Sequence, residues 1–176
     1  MAQSPGTARQ IPEHAIMDYY YKQAYLGNQF VQASNLTAGA TETPALLLIC
    51  PAQNTVAFAV ASQRSVFLSL RKLNCLTASQ SAILRFYLAP TFSANGTAAS
   101  IYNLRPASPT TPIALAYTIP TVSANGNFIG AISDPTYSSE ASSLMVILDP
   151  GQSILVTMQA SAAATAITTT LSWWEN

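Results

Sequence analysis

Ile167-Thr168-Thr169-Thr170-Leu171-Ser172-Trp173-Trp174 closes the chain with strict alternation. Ile167, Thr169, Leu171 and Trp173 fall on one side of an extended backbone, and Thr168, Thr170, Ser172 and Trp174 on the other. Period-two patterning in β-branched and aromatic residues is the signature of a β-strand, because successive side chains on a strand point to opposite faces. The same reading extends backward through Val56 to Ser62, Val66 to Arg71, Ile83 to Leu88, Ile113 to Ile119, Leu144 to Leu148 and Ile154 to Met158. Turn residues separate these runs, among them Asn95-Gly96, Asn125-Gly126, Asp134-Pro135 and Asp149-Pro150-Gly151. No stretch after residue 30 repeats apolar residues at helical spacing over any length. About eight short strands predict an all-β fold, a β-sandwich of jelly-roll or other Greek-key arrangement.

Composition removes other classes. Of 176 residues only seven are Lys or Arg and seven Asp or Glu, with a formal net charge of zero. A charged fraction of 8% stands against roughly 25% in ordinary soluble domains. Disorder requires low hydrophobicity with high net charge, whereas 49% of this chain is hydrophobic. A helical bundle needs many more charged residues on its solvated faces. A nucleic-acid module needs a basic surplus, and a membrane span needs about 18 consecutive apolar residues. Neither nucleic acid nor membrane is therefore expected as a partner. Ala, Ser and Thr are abundant instead, a supply of small side chains and hydroxyls whose surface suits close contact with other protein.

Residues 1–30 differ from residues 31–176, which make up the predicted sandwich. The first segment holds the only His, His14, and four of the eight Tyr, at Tyr19, Tyr20, Tyr21 and Tyr25. It reads as an extended or partly helical arm ending at Gly27. With Phe30 and Trp174, these tyrosines are the candidate contact residues for another protein or a neighbouring subunit, because Tyr offers large area and a polar tip. Alternation turns one of Trp173 and Trp174 into the core and the other outward. An outward Trp174 is expected to be covered by a neighbouring subunit, with a sugar-stacking platform as the other reading.

Two further patterns stand out. Pro90-Thr-Phe-Ser-Ala-Asn-Gly recurs as Pro120-Thr-Val-Ser-Ala-Asn-Gly, which predicts two similar, neighbouring strand–corner–strand units in one sandwich. Charge is also segregated. Arg64, Arg71, Lys72, Arg85 and Arg105 occupy Thr43 to Ser133 without an acid, and Asp134, Glu140, Asp149 and Glu175 follow without a base. Either central and C-terminal strands pair within the chain, or opposite charges meet between subunits.

Chemistry is short of parts. A Ser-His-Asp or Cys-His arrangement would need the arm to fold back and bring His14 to the sandwich. One His with Cys50 and Cys75, all far apart along the chain, is not a zinc cluster. The cysteines are expected as two buried thiols at strand ends rather than as a disulfide, since the N-terminus lacks the apolar run of a secretory signal. For the same reason the sequons at Asn35 and Asn95 carry little weight. Asp134, Glu140 and Asp149 are the carboxylates a glycosidase would pair, but their turn contexts favour solvated or capping roles. No phosphate-binding or dinucleotide-binding glycine motif is present. Neither enzymatic activity nor a cofactor is expected.

The order of corners resembles a family. Gly39-Ala-Thr-Glu-Thr-Pro leads into an apolar strand, followed by the Pro90 to Thr97 corner, Asn103-Leu-Arg, the Pro120 to Gly126 corner, Leu148-Asp-Pro-Gly, Ser153-Ile-Leu-Val and Leu171-Ser-Trp-Trp-Glu. Over about residues 38–176 this is similar to small virion proteins of tailed bacteriophages, the capsid decoration, cement and head-fibre proteins. The resemblance implies a jelly-roll-like sandwich forming a homotrimer on the outer surface of the phage head. It implies the major capsid protein as partner, a stabilising role between adjacent capsid proteins, synthesis in the host cytoplasm and residence in the virion. The candidate contact residues would then meet capsid or a neighbouring subunit. Related domains in tail fibres and spikes make a receptor- or glycan-binding domain the alternative, with Trp174, Tyr102 or Tyr137 as sugar contacts.

Overall fold

The computed structural model describes residues 22–52, 65–75, 80–134 and 145–175. The run expected from Val56 to Ser62 and the tyrosines Tyr19, Tyr20, Tyr21 and Tyr137 lie outside the described residues. Among those described, eight strands form two antiparallel sheets. In the first, β1 (Gln29–Ala38), β13 (Thr165–Glu175), β3 (Val66–Cys75) and β11 (Met145–Leu148) are neighbours in that order. In the second the order is β2 (Thr43–Ile49), β12 (Ser153–Ala160), β4 (Ala82–Leu88) and β10 (Asn127–Asp134). Counting only these eight, the orders 1-8-3-6 and 2-7-4-5 are those of a jelly roll. The expected all-β sandwich is what the chain forms, and β1 begins at Gln29, slightly ahead of the expected domain start.

Alternation builds the core between the sheets. In β4, Ala82, Leu84 and Phe86 are buried while Ile83, Arg85 and Tyr87 are half-buried. Phe30, Leu46, Leu48, Leu68, Val156, Ile167, Leu171 and Trp173 join them in one cluster. Each such side chain contributes about 1.5–3 kcal/mol when fully removed from water. Cys50 is buried in the same cluster, and the side chain of Cys75 lies outside the described ones.

Residues 89–126, between β4 and β10, hold five short strands: β5 (Thr91–Ala94), β6 (Thr97–Ala98), β7 (Tyr102–Asn103), β8 (Leu115–Thr118) and β9 (Thr121–Ala124). β8 and β6 extend the second sheet beyond β2, and β7 extends the first beyond β1. The echoed heptapeptides, β5 and β9, pair with each other as a ribbon, Phe92 opposite Val122. The two corners are interlocked rather than side by side. Thr97, leaving the first corner, pairs with Thr118 at the entrance to the second. Asn127, leaving the second, pairs with Leu88 at the entrance to the first.

These pairings define a local two-fold axis. Tyr87 opposite Leu155 matches Tyr117 opposite Leu47, and Leu155 faces Leu47 across the axis. The Ala89 N–H donates to the Ser153 carbonyl at 3.1 Å, as the Ile119 N–H does to that of Ala45 at 2.9 Å. Gly96 and Gly126 both have φ of 91°. A Cβ on either would stand 2.2 Å from a strand-end carbonyl, that of Thr118 or of Leu88. Glycine is required there on both counts. Leu47 and Leu155 alternate with core residues and so face away from the first sheet, yet they are 1% and 0% exposed. The ribbon is centred on the same axis, and its Phe92 lines one groove with Ile49 of β2.

Candidate interaction surface

The root of the arm is a built structure. Residues 22–26 make one helical turn, ended by Gly27 at φ of 77°. The Asn103-Leu104-Arg105 motif holds it down. Asn103 Nδ2 donates to the carbonyls of Gly27 at 2.8 Å and Thr110 at 3.1 Å, while its Oδ1 accepts from the Arg105 N–H at 2.8 Å. Arg105 Nη1 donates to the Tyr25 carbonyl at 2.8 Å, and the guanidinium lies 5.4 Å from the Tyr25 ring centroid. The Leu104 N–H donates to the Gln29 carbonyl at 3.0 Å. Tyr25, Leu26, Tyr102 and Leu104 are all exposed, Tyr25 by 76%. Four large exposed side chains therefore lie on two segments, residues 25–26 and 102–104, that the bonds of Asn103 and Arg105 hold together where the arm leaves the sandwich. Such clusters mark contact sites more often than scattered single residues do.

Two expected contact residues are corrected. Phe30 is fully buried, its ring 6.2 Å from that of Trp173 in the core. Trp174 does sit on the opposite face from Trp173, but it is only 4% exposed. Its partner in β1 is Gln29, which is buried, as is Gln23 of the helical turn. The arm root occupies this corner, with the Asn28 carbonyl accepting from the Glu175 N–H at 3.1 Å. Trp174 is covered within its own chain and offers neither a sugar platform nor an outward ring. Leu26 and Leu104 were not among the expected contact residues, and Tyr102 was expected only as a sugar contact. The Asn-Leu-Arg motif was the available signal, since it brings residues 102–105 to Tyr25.

Central and C-terminal strands do pair within the chain, β3 with β11 and β13 and β4 with β12, while the side chains of Arg64, Arg71, Lys72, Asp134 and Glu140 lie outside the described ones. Among the described residues the ion pair is Arg85 with Glu42 at 3.1 Å, which joins neither a C-terminal acid nor another subunit. Glu42 also accepts from the Tyr87 hydroxyl at 2.9 Å and the Thr157 hydroxyl at 2.6 Å, on the outer face of the second sheet. Burial, followed by the Glu42 hydrogen bond, raises the Tyr87 phenol. Glu175 is 2% exposed. Its carboxylate accepts from the N–H groups of Ile113 at 2.8 Å and Ala114 at 3.0 Å and from Trp173 Nε1 at 3.0 Å. Burial, and after it the Glu175 charge, pushes the Cys50 thiol up to about 11. Among the described residues no three His, Cys, Asp or Glu converge as a metal site, and no helix is long and apolar enough to cross a membrane.

No family model matches the chain, and no curated protein matches it. Among solved structures it is similar to a subunit of the Bacillus endospore appendages, described as a novel family of disulfide-linked pili. The identity is 15% over 82% of this chain and 83% of that one, with a TM-score of 0.40. A likeness that distant carries no argument about what this chain does.

Proposed function

We propose that this chain is a non-enzymatic structural virion protein, a capsid decoration or cement protein that binds the outer surface of a phage head and stabilises contacts between major capsid proteins as a homotrimer. The observation that carries the reading is the apolar cluster of Tyr25, Leu26, Tyr102 and Leu104 at the root of an arm rich in tyrosine. The order of corner motifs supports it, as does a surface with few ions to desolvate on contact. In this reading the cluster and residues 1–21 form one continuous contact with the capsid.

Removing residues 1–21 leaves Gln23, Gly27 and Asn28, which the sandwich uses, in place. The truncated chain is expected to fold and to lose most binding to purified heads in co-sedimentation. Tyr25→Ser with Tyr102→Ser is expected to weaken binding of the full chain. Undiminished decoration by both variants would overturn the assignment of this surface.

A further inference from the structure

The local two-fold axis supplies an internal control for each residue it relates. Ala89 and Ile119 occupy the same place in the two corners, with the same φ of 54° and equivalent backbone hydrogen bonds. Positive φ is unfavourable for L-residues and most unfavourable for β-branched ones. Ala89 demonstrates that the corner closes without a larger side chain. Isoleucine at 119 therefore adds backbone strain, and at 67% exposure its side chain gains little burial in return. The same exchange of large for small recurs at the next related pair. Phe128, paired with Tyr87, is 58% exposed, whereas its counterpart Ala98, paired with Tyr117, carries only a methyl group.

The first corner has the inverse shape. Beside Ala89 lies an open groove of about 380 Å³, lined by Ile49, Leu88, Pro90 and Phe92 with Gln152 and Ser153 at its edge. One chain thus presents an apolar knob at one corner and, at the symmetry-related corner, an apolar hollow where the knob's own counterpart is alanine. Cyclic oligomers other than dimers are closed by heterologous contacts, in which one patch of a subunit meets a different patch of the next. Knob and hollow are such a pair of patches.

We propose that Ile119 is the anchor of a self-interface, seated in the groove beside Ala89 of a second copy of this chain. The proposal rests on the reading of the protein as a homo-oligomer and assigns the residues that close it. It places self-association at the interlocked corners, leaving the arm root for the capsid.

The test compares wild type with Ile119→Gly by light scattering and by melting temperature over a hundredfold range of protein concentration. Glycine at 119 removes the knob and relieves the positive-φ strain. Loss of one buried isoleucine is expected to weaken association about 10- to 100-fold. The wild-type melting temperature is expected to rise with concentration, and that of Ile119→Gly to stay flat. At the lowest concentration the variant should melt at or above wild type. Ile119→Cys combined with Gln152→Cys should give oxidised dimers and trimers between chains. A wild type that is monomeric throughout would overturn both this inference and the oligomer reading. Equal association of wild type and Ile119→Gly would overturn the inference alone and leave the oligomer standing. A variant less stable at every concentration would assign Ile119 to the chain's own fold and also overturn the inference.

Discussion

Replacing Glu175 tests whether the last residue of β13 fastens the segment that enters β8. Its buried carboxylate is the acceptor for three donors, the N–H groups of Ile113 and Ala114 and the indole N–H of Trp173. Glu175→Ala strands all three. Each buried donor left without a partner costs about 1–3 kcal/mol, but Ile113 is half-buried, so water can reach part of the gap. The expected loss is about 3–5 kcal/mol, at the upper end for single substitutions. Glu175→Gln separates the contributions. Its one remaining oxygen still serves Ala114 and Trp173, while the new NH₂ group faces the Ile113 N–H, donor against donor, and the charge is gone. A loss of about 1.5–3 kcal/mol is expected. Urea denaturation followed by tryptophan fluorescence gives both values, and hydrogen exchange should show the Ile113 amide losing protection before that of Ala114. A Glu175→Gln protein as stable as wild type, to within the small change typical of an inconsequential surface substitution, would refute the assignment of this carboxylate as a fastening.

Other expectations follow from single sites. Gly96→Ala and Gly126→Ala should each cost at least about 2 kcal/mol in urea unfolding, and by similar amounts, because the same positive φ and carbonyl contact recur at both. Thr169→Val and Thr157→Val should have opposite signs. The Thr169 hydroxyl is buried with no hydrogen-bond partner, so its removal should stabilise by up to about 1 kcal/mol, whereas Thr157→Val loses the bond to Glu42 and should destabilise by about 1–2 kcal/mol. The folded Cys50 thiol keeps its proton to about pH 11, while the unfolded thiol begins to ionise near pH 9. Stability from this group is therefore complete below about pH 9 and lost as pH rises to 11, a change of about 2–3 kcal/mol. Cys50→Ala should flatten that part of the pH–stability curve, and the native thiol should resist aromatic disulfide reagents.

Alternation was legible wherever one face of a strand meets the core and the other meets solvent, as in Ala82 to Leu88 and Ile167 to Trp173. It is a local property and carries no information on partners. That β13 lies between β1 and β3 joins strands from opposite ends of the chain, and no spacing within either strand encodes it. Trp174 marks another limit. Period two assigns its face correctly, but exposure on that face depends on the arm root, which packs at the corner from the opposite end of the chain. The contact cluster was half legible. Tyr25 was visible as one of several arm tyrosines and Tyr102 as a loop aromatic, whereas their nearness to each other, and any part for Leu104, follows only from the bonds of Asn103 and Arg105.

The echo shows how a sequence repeat divides structural from functional demands. A two-fold operation requires the same backbone at both corners, and the residues that set backbone geometry are the ones repeated. Pro90 and Pro120 are buried, Gly96 and Gly126 fit where only glycine fits, and the Ser-Ala-Asn steps between are common to both corners. Residues that differ are those whose side chains leave the shared backbone: Leu88 against Thr118, Ala89 against Ile119, Phe92 against Val122, and Ala98 against Phe128. If packing alone governed these positions, the larger member of each pair would be the more buried. Phe92 and Val122 are alike half-buried, but Ile119 and Phe128 are among the most exposed apolar residues described. Phe128 has a partner within the chain, its ring edge-on to Tyr87 with 5.6 Å between centroids, whereas Ile119 at 67% exposure gains little burial. On the proposed self-interface a contact outside the chain accounts for isoleucine at 119, with the hollow beside Ala89 of a second copy to receive it.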